Sequence, residues 1–133
     1  MKSMRLTVLI LILTISGNAF IAGAQVNVIS NVGTALKAGS SRELIKYFND
    51  VIELKIDGQS SNYSRTQAEF ILKDFFKKYE VVGFDYVFEG NSREGLKYAI
   101  GKYSHKSGTH RVYILFKKVG DTLMIDTLDF TKE

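Results

Sequence analysis

His105 and His110 are the only imidazoles in this chain, and they flank Lys106-Ser107-Gly108-Thr109, a run that reads as a four-residue hairpin loop. If the loop pairs them across two strands, their rings approach closely enough to share a metal. Zinc normally takes at least three protein ligands, and no acidic residue lies between Ser104 and Val119 to supply the third. The expectation is therefore two solvated hairpin residues, with no metal and no cofactor. Carboxylates are the second candidate chemistry, because burial against aromatic rings raises an Asp pKa toward neutrality and makes it a proton carrier. Asp57, Asp85, Asp126 and Asp129 are the acids on strands or strand ends. Asp85 has the parity opposite Phe84 and Tyr86 and should point away from the core. Asp126 shares a parity with Met124, Leu128 and Phe130, yet Leu123 and Ile125 claim the other face, which leaves its side open. No Tyr or His can be placed beside any of these acids, so no catalytic residue is assigned. The absence of cysteine excludes thiolate nucleophiles, Cys-ligated metals, disulfides and a lipidated cysteine.

Tyrosines offer a third possibility. Tyr47, Tyr63, Tyr79, Tyr86 and Tyr98 could line an opening between helices and sheet, each with an apolar ring and one hydroxyl, which suits a small amphipathic ligand. The plainer arrangement is a core whose tyrosines keep their hydroxyls at the surface.

The elements that must position these residues divide into a helical first half and a strand-rich second half, an α+β pattern. A first helix is expected over Gln25 to Lys37, with Ile29, Val32 and Leu36 at helical spacing and Gly39 as its stop. Ser40-Ser41-Arg42-Glu43 fits a capping box for a short second helix ending near Asn49-Asp50. A strand with Ile52, Leu54 and Ile56 inward runs to Asp57-Gly58, followed by a polar loop, Gln59 to Tyr63. Ser64-Arg65-Thr66-Gln67 is a second capping box, and Ala68, Ile71, Leu72, Phe75 and Tyr79 make the clearest amphipathic helix.

Four strands joined by hairpins should follow: Val81 to Glu89, Leu96 to Ser104, His110 to Val119 and Thr122 to Phe130. Val82, Phe84, Tyr86, Phe88, Leu96, Tyr98, Ile100, Val112, Ile114 and Phe116 form the set expected under the helices. The opposite parity carries Val87, Tyr103, Tyr113 and Leu115 with Lys97, Arg111 and Lys117, an aromatic centre with a cationic rim. A solvated antiparallel face should be less apolar, so this set reads as a protein interface, in a homodimer or with another exported protein.

The order α-α-β-α-β-β-β-β resembles the nuclear transport factor 2-like, or cystatin-like, roll, in which a curved antiparallel sheet wraps a long helix. The blocks Ala35-Leu36-Lys37-Ala38-Gly39, Tyr63-Ser64-Arg65-Thr66-Gln67-Ala68-Glu69, Ile71-Leu72-Lys73-Asp74-Phe75-Phe76, Tyr98-Ala99-Ile100-Gly101 and Arg111-Val112-Tyr113 narrow the likeness. Together with Glu43-Leu44 and Tyr47-Phe48, they resemble an uncharacterised family of secreted Bacteroidetes proteins, a domain of unknown function with this roll. The resemblance implies a fold and a compartment but no activity, since one roll hosts carriers, dimerisation modules and enzymes.

Residues 1–24 complete the reading. Lys2 and Arg5 precede an apolar run of about ten residues, Leu6 to Ile15, and the small end Ala22-Gly23-Ala24, the pattern of a secretory signal peptide cleaved after Ala24. The run is shorter than the ~20 residues of a spanning helix, so no membrane span is expected after cleavage. The mature domain is then residues 25–133, in the periplasm or secreted. Without Lys2 and Arg5 it has 16 cations against 14 anions and no basic stripe, which argues against nucleic acid as a partner. The function expected is a non-enzymatic exported binding domain, the alternative being a small lyase or isomerase using a pocket carboxylate.

Overall fold

A computed structural model of the chain describes residues 27–133. The export segment read in residues 1–24 lies outside the described residues. Helix α1, Val28–Ala38, starts where the Asn27 side chain accepts the Ser30 N–H at 3.1 Å. It stops at Gly39, whose φ of 59° lets its own N–H and that of Ser40 close on the Leu36 and Ala35 carbonyls. Helix α2 is a single turn, Ser41–Leu44, capped by Ser40, and a 3-10 turn follows over Ile45–Tyr47. The expected continuation to Asn49-Asp50 does not occur, because Phe48 is already extended and pairs with Ile125.

Strand β1, Phe48–Ile56, buries Phe48, Ile52 and Leu54. The segment expected as a polar loop is instead strand β2, Gln59–Ser64, antiparallel to β1. Asp57 and Gly58 both have positive φ, 49° and 90°, and Ile56 pairs with Gln59 across them. That is the two-residue turn whose twist matches a hairpin. Helix α3, Arg65–Lys78, opens with the expected capping box: the Gln67 N–H donates to Ser64 Oγ and the Ser64 N–H to Gln67 Oε1. Strands β3, Val81–Asn91, β4, Lys97–His105, β5, Gly108–Val119, and β6, Thr122–Lys132, form the remaining hairpins.

The sheet runs β2-β1-β6-β5-β4-β3, with β1 and β6 parallel and every other pair antiparallel. Helices α1 and α3 cover one face. Phe75 and Phe76 of α3 pack on Phe130 and Tyr103, with the Phe75 and Phe130 rings 4.4 Å apart. Phe70, on the same helix, points outward and is 66% exposed.

Val112, Ile114 and Phe116 lie under the helices as their alternation suggests, and so does Phe84. Strand β4 faces the other way from the reading above. Ala99, Gly101, Tyr103 and His105 are its buried residues, and Tyr98 and Ile100 lie on the outer face. Two of the four inward positions are Ala and Gly, which carry little apolar signal; the Phe84 ring fills the space above Gly101, where a Cβ would run into it. In β3, register shifts at Val81/Gly83 and Tyr86/Phe88 break the alternation, leaving Val82 and Phe88 exposed.

Candidate functional site

The turn between the histidines is tighter than four residues: His105 pairs with Gly108, so Lys106 and Ser107 alone make it. His110 then stands opposite Tyr103, diagonal to His105 on the same face. Both rings are buried, not solvated, and His105 Nε2 lies 2.9 Å from His110 Nδ1. At one end the Ser107 N–H donates to His105 Nδ1 at 3.2 Å. At the other, His110 Nε2 lies 3.1 and 3.3 Å from the two Asp57 oxygens. One arrangement of two ring hydrogens satisfies all three contacts: each histidine carries its proton on Nε2, His105 donating to His110 and His110 to Asp57.

Aromatic rings enclose the pair, with Tyr79 4.7 Å from His105 and 4.8 Å from His110, and Phe75 edge-on to His110 at 5.2 Å. Burial lowers the His105 pKa, the neighbouring His110 and Lys132 lower it further, and Asp57 opposes them. The facing nitrogens are engaged with each other, and among the described residues no three such side chains are placed to hold a metal ion. The chain can carry a proton along three groups, but His105 Nδ1 ends on a backbone amide and activates no nucleophile. Asp57 is the member that sequence reasoning did not connect. Its only local signal is Asp-Gly at a strand end, and the histidine it meets lies 53 residues away.

The outer face of the sheet is the second candidate. Tyr98 pairs with Leu115, Ile100 with Tyr113, and Lys102 with Arg111. Strand β3 adds Phe88 opposite Ile100 and Asp85 opposite Lys102; β6 adds Thr127 opposite Leu115 and Asp129 opposite Tyr113. Phe88, Tyr98 and Tyr113 form a row with ring centroids 5.8 Å apart at each step. Burial, then Tyr98, then Asp129 raise the Tyr113 pKa. Val87, 63% exposed, stands on the β3 bulge beside the row. Tyr103 does not belong to this surface. It is fully buried on the helix side, where its hydroxyl donates to the Tyr79 carbonyl at 2.6 Å.

The five tyrosines read as pocket candidates do not meet in one cavity. Tyr47 lines a cleft of about 260 Å³ with Asn31, Thr34, Ala35, Ala38 and Glu43. Tyr63 packs inward from edge strand β2, opposite Ile52. Tyr79 covers the histidines. Tyr86 donates to the Ile29 carbonyl at 2.6 Å and borders a cleft of about 150 Å³ between α1 and β3. Burial and the nearby Glu89 push its pKa up. Tyr98 is in the outer row. The acids are equally dispersed: Asp85 borders the Tyr86 cleft, Asp126 lies in an open hollow with Asp50 and Glu53, and Asp129 is opposite Tyr113.

Six strands curved around α3, with α1 across β3, define an α+β roll of the cystatin-like and nuclear transport factor 2-like kind. A protein of unknown function with a cystatin-like fold from Nostoc punctiforme shares it at 11% identity, covering 79% of this chain and 72% of its own, with a TM-score of 0.60. Within that class, the family described as domain of unknown function DUF4783 matches residues 29–131, and the chain belongs to it. A DUF4783 family protein from Bacteroides ovatus is 34% identical, covering 78% of this chain and 94% of its own, with a TM-score of 0.74. Another, from Bacteroides uniformis, is 31% identical over 80% and 98%, with a TM-score of 0.75. The search of curated proteins found no match. The roll and the Bacteroides-associated domain-of-unknown-function family read from the sequence are both borne out, apart from secretion.

Proposed function

We propose that this is an exported binding domain whose working surface is the outer sheet face and whose occupant there is a second copy of the chain. The carrying observation is the row Phe88, Tyr98 and Tyr113, with Ile100 and Leu115 between its rings, on a face that neither α1 nor α3 covers. Such a patch, left in water, is the kind of surface that associates. Its borders hold both signs, Lys102 and Arg111 against Asp85 and Asp129. A mixed border favours a two-fold pairing, in which one copy's cations meet the other's acids. Export rests on the charged, apolar and small-residue succession of residues 1–24.

The carboxylate-enzyme alternative needs a ligand-sized chamber between helices and sheet. Most of that space is filled by Phe75, Phe76, Phe84, Tyr103, Phe116 and Phe130, and the cleft left between α1 and β3 has only about 150 Å³, small for a ligand. Native mass spectrometry of the protein processed by its own host tests both parts of the proposal. The expected species begins at Gln25 and has the mass of two chains at micromolar concentration, and Tyr113→Lys reduces it to one chain with an unchanged circular dichroism spectrum. A wild-type mass of one chain removes the dimer, and an intact Met1 removes export.

A further inference from the structure

We infer that Asp57, His110 and His105 form a latch at one end of the sheet, a hydrogen-bonded chain that joins three separate pieces and whose far link, inside the β4–β5 hairpin, is operated by a proton. The pieces are the β1–β2 turn, the β4–β5 turn and the last residues of β6. Asp57 is the hub: its Oδ1 accepts the Lys132 N–H at 2.9 Å, and its own N–H donates to the Phe130 carbonyl at 2.9 Å. Its carboxylate also takes the His110 proton, and through His105 the connection reaches the Ser107 amide. The hub is open to water, with the Asp57 side chain 35% exposed, while His110 behind it has no exposure.

The latch follows from counting hydrogens. Two ring hydrogens satisfy every contact, each histidine being neutral. A third must break one. Placed on His105 Nδ1, it faces the Ser107 N–H, donor against donor. Placed on His110 Nδ1, it faces the His105 Nε2–H; if His105 yields by moving its hydrogen to Nδ1, the Ser107 contact is lost instead. Acid therefore releases the β4–β5 turn from the chain, or parts the two rings. Charged and titratable groups around the pair are few: Asp57 from the β1–β2 turn, Lys132 from β6, Tyr79 from the end of α3 and Tyr103 from β4. Lys106 and Glu80, 3.5 Å apart, sit at the surface above them. Lys132 opposes the third hydrogen and Asp57 favours it; burial opposes it most and sets the direction of the shift. The closed state is thus the neutral-pH state, and it opens below the pH at which a free histidine titrates.

Long-range proton–nitrogen NMR of the processed protein, with amide exchange, reads each element. At neutral pH both rings should show the Nε2–H tautomer. On acidification His105 should titrate below the usual histidine midpoint, and the Ser107 protection factor should fall by roughly tenfold with it. Asp57→Asn keeps an acceptor oxygen for Lys132 and His110 but removes the charge, so it should move the midpoint to lower pH. His105→Phe, which keeps a ring in the aromatic nest, should make Ser107 protection independent of pH. A His105 that titrates with no change at Ser107, an Nδ1–H tautomer at neutral pH, or a pH-dependent Ser107 in His105→Phe would overturn the latch. These readouts do not depend on the outer face, so a monomeric protein leaves the test intact.

Discussion

Tyr103 carries the sharpest demand of any single side chain outside the histidines. Its ring is enclosed by Phe75, Phe76 and Phe130, and its hydroxyl reaches the carbonyl of Tyr79, the residue that caps the end of α3. Carbonyls in the last turn of a helix have no partner within the helix, so this one depends on a side chain or water. Burial pushes the Tyr103 pKa up to about 12, which keeps it a donor at any ordinary pH. Tyr103→Phe keeps the ring and deletes the donor. Because it leaves a buried acceptor unmatched, it should cost about 1–3 kcal/mol in urea unfolding, a larger loss than a solvated hydroxyl would give. A change within error would mean that water reaches the Tyr79 carbonyl. The sequence marks Tyr103 as an amphipathic residue and no more, because its partner lies 24 residues earlier at the end of another element.

At the scale of elements, what could be read depended on how local the cause was. The Ser64–Gln67 capping box and the Gly39 stop use contacts within a few residues, and both are present as the sequence implies. Strand β2 was hidden because Gln59 to Asn62 is polar and exposed; its hydrogen bonds to β1 and the Asp57-Gly58 turn make it a strand, not its side chains. The facing of β4 was misread for a related reason. Apolar size favoured Tyr98 and Ile100, while the inward positions Ala99 and Gly101 were small because Phe84 comes from β3 to fill them. That fit is testable. Alanine normally improves on glycine in a strand, by lowering the entropy of the unfolded chain. Here the added methyl must displace a buried ring, so Gly101→Ala should lower stability by about 1–3 kcal/mol in thermal or urea unfolding. A stabilised Gly101→Ala would show that Phe84 does not rest on that backbone. The same β4 reassignment sharpened the outer face, since Tyr98 and Ile100 leave the core for it and Tyr103 leaves it for the core.

Over the whole molecule, the buried His105 links the fold to pH in a definite direction. His105 has a lowered pKa in the folded chain, so below the ordinary histidine value the unfolded chain binds more protons than the folded one. Stability must then fall as pH drops from about 6.5 toward the folded value, by at most about 1.4 kcal/mol per pH unit for one proton. Above that window His105 is neutral in both states and contributes no slope. Two other sources of acid sensitivity fall elsewhere. A carboxylate in a model peptide titrates near 4, below the window. General charge repulsion is weak for residues 25–133, which carry 16 cations and 14 anions. The proposed dimer would add a concentration dependence to stability, so the comparison has to be made at one protein concentration. The expected result is a urea midpoint that is level from about pH 8 to about 7 and declines between about 6.5 and 5, with the decline absent in His105→Phe. A wild-type midpoint that stays level down to about pH 5 would place the histidine protons outside the folding equilibrium.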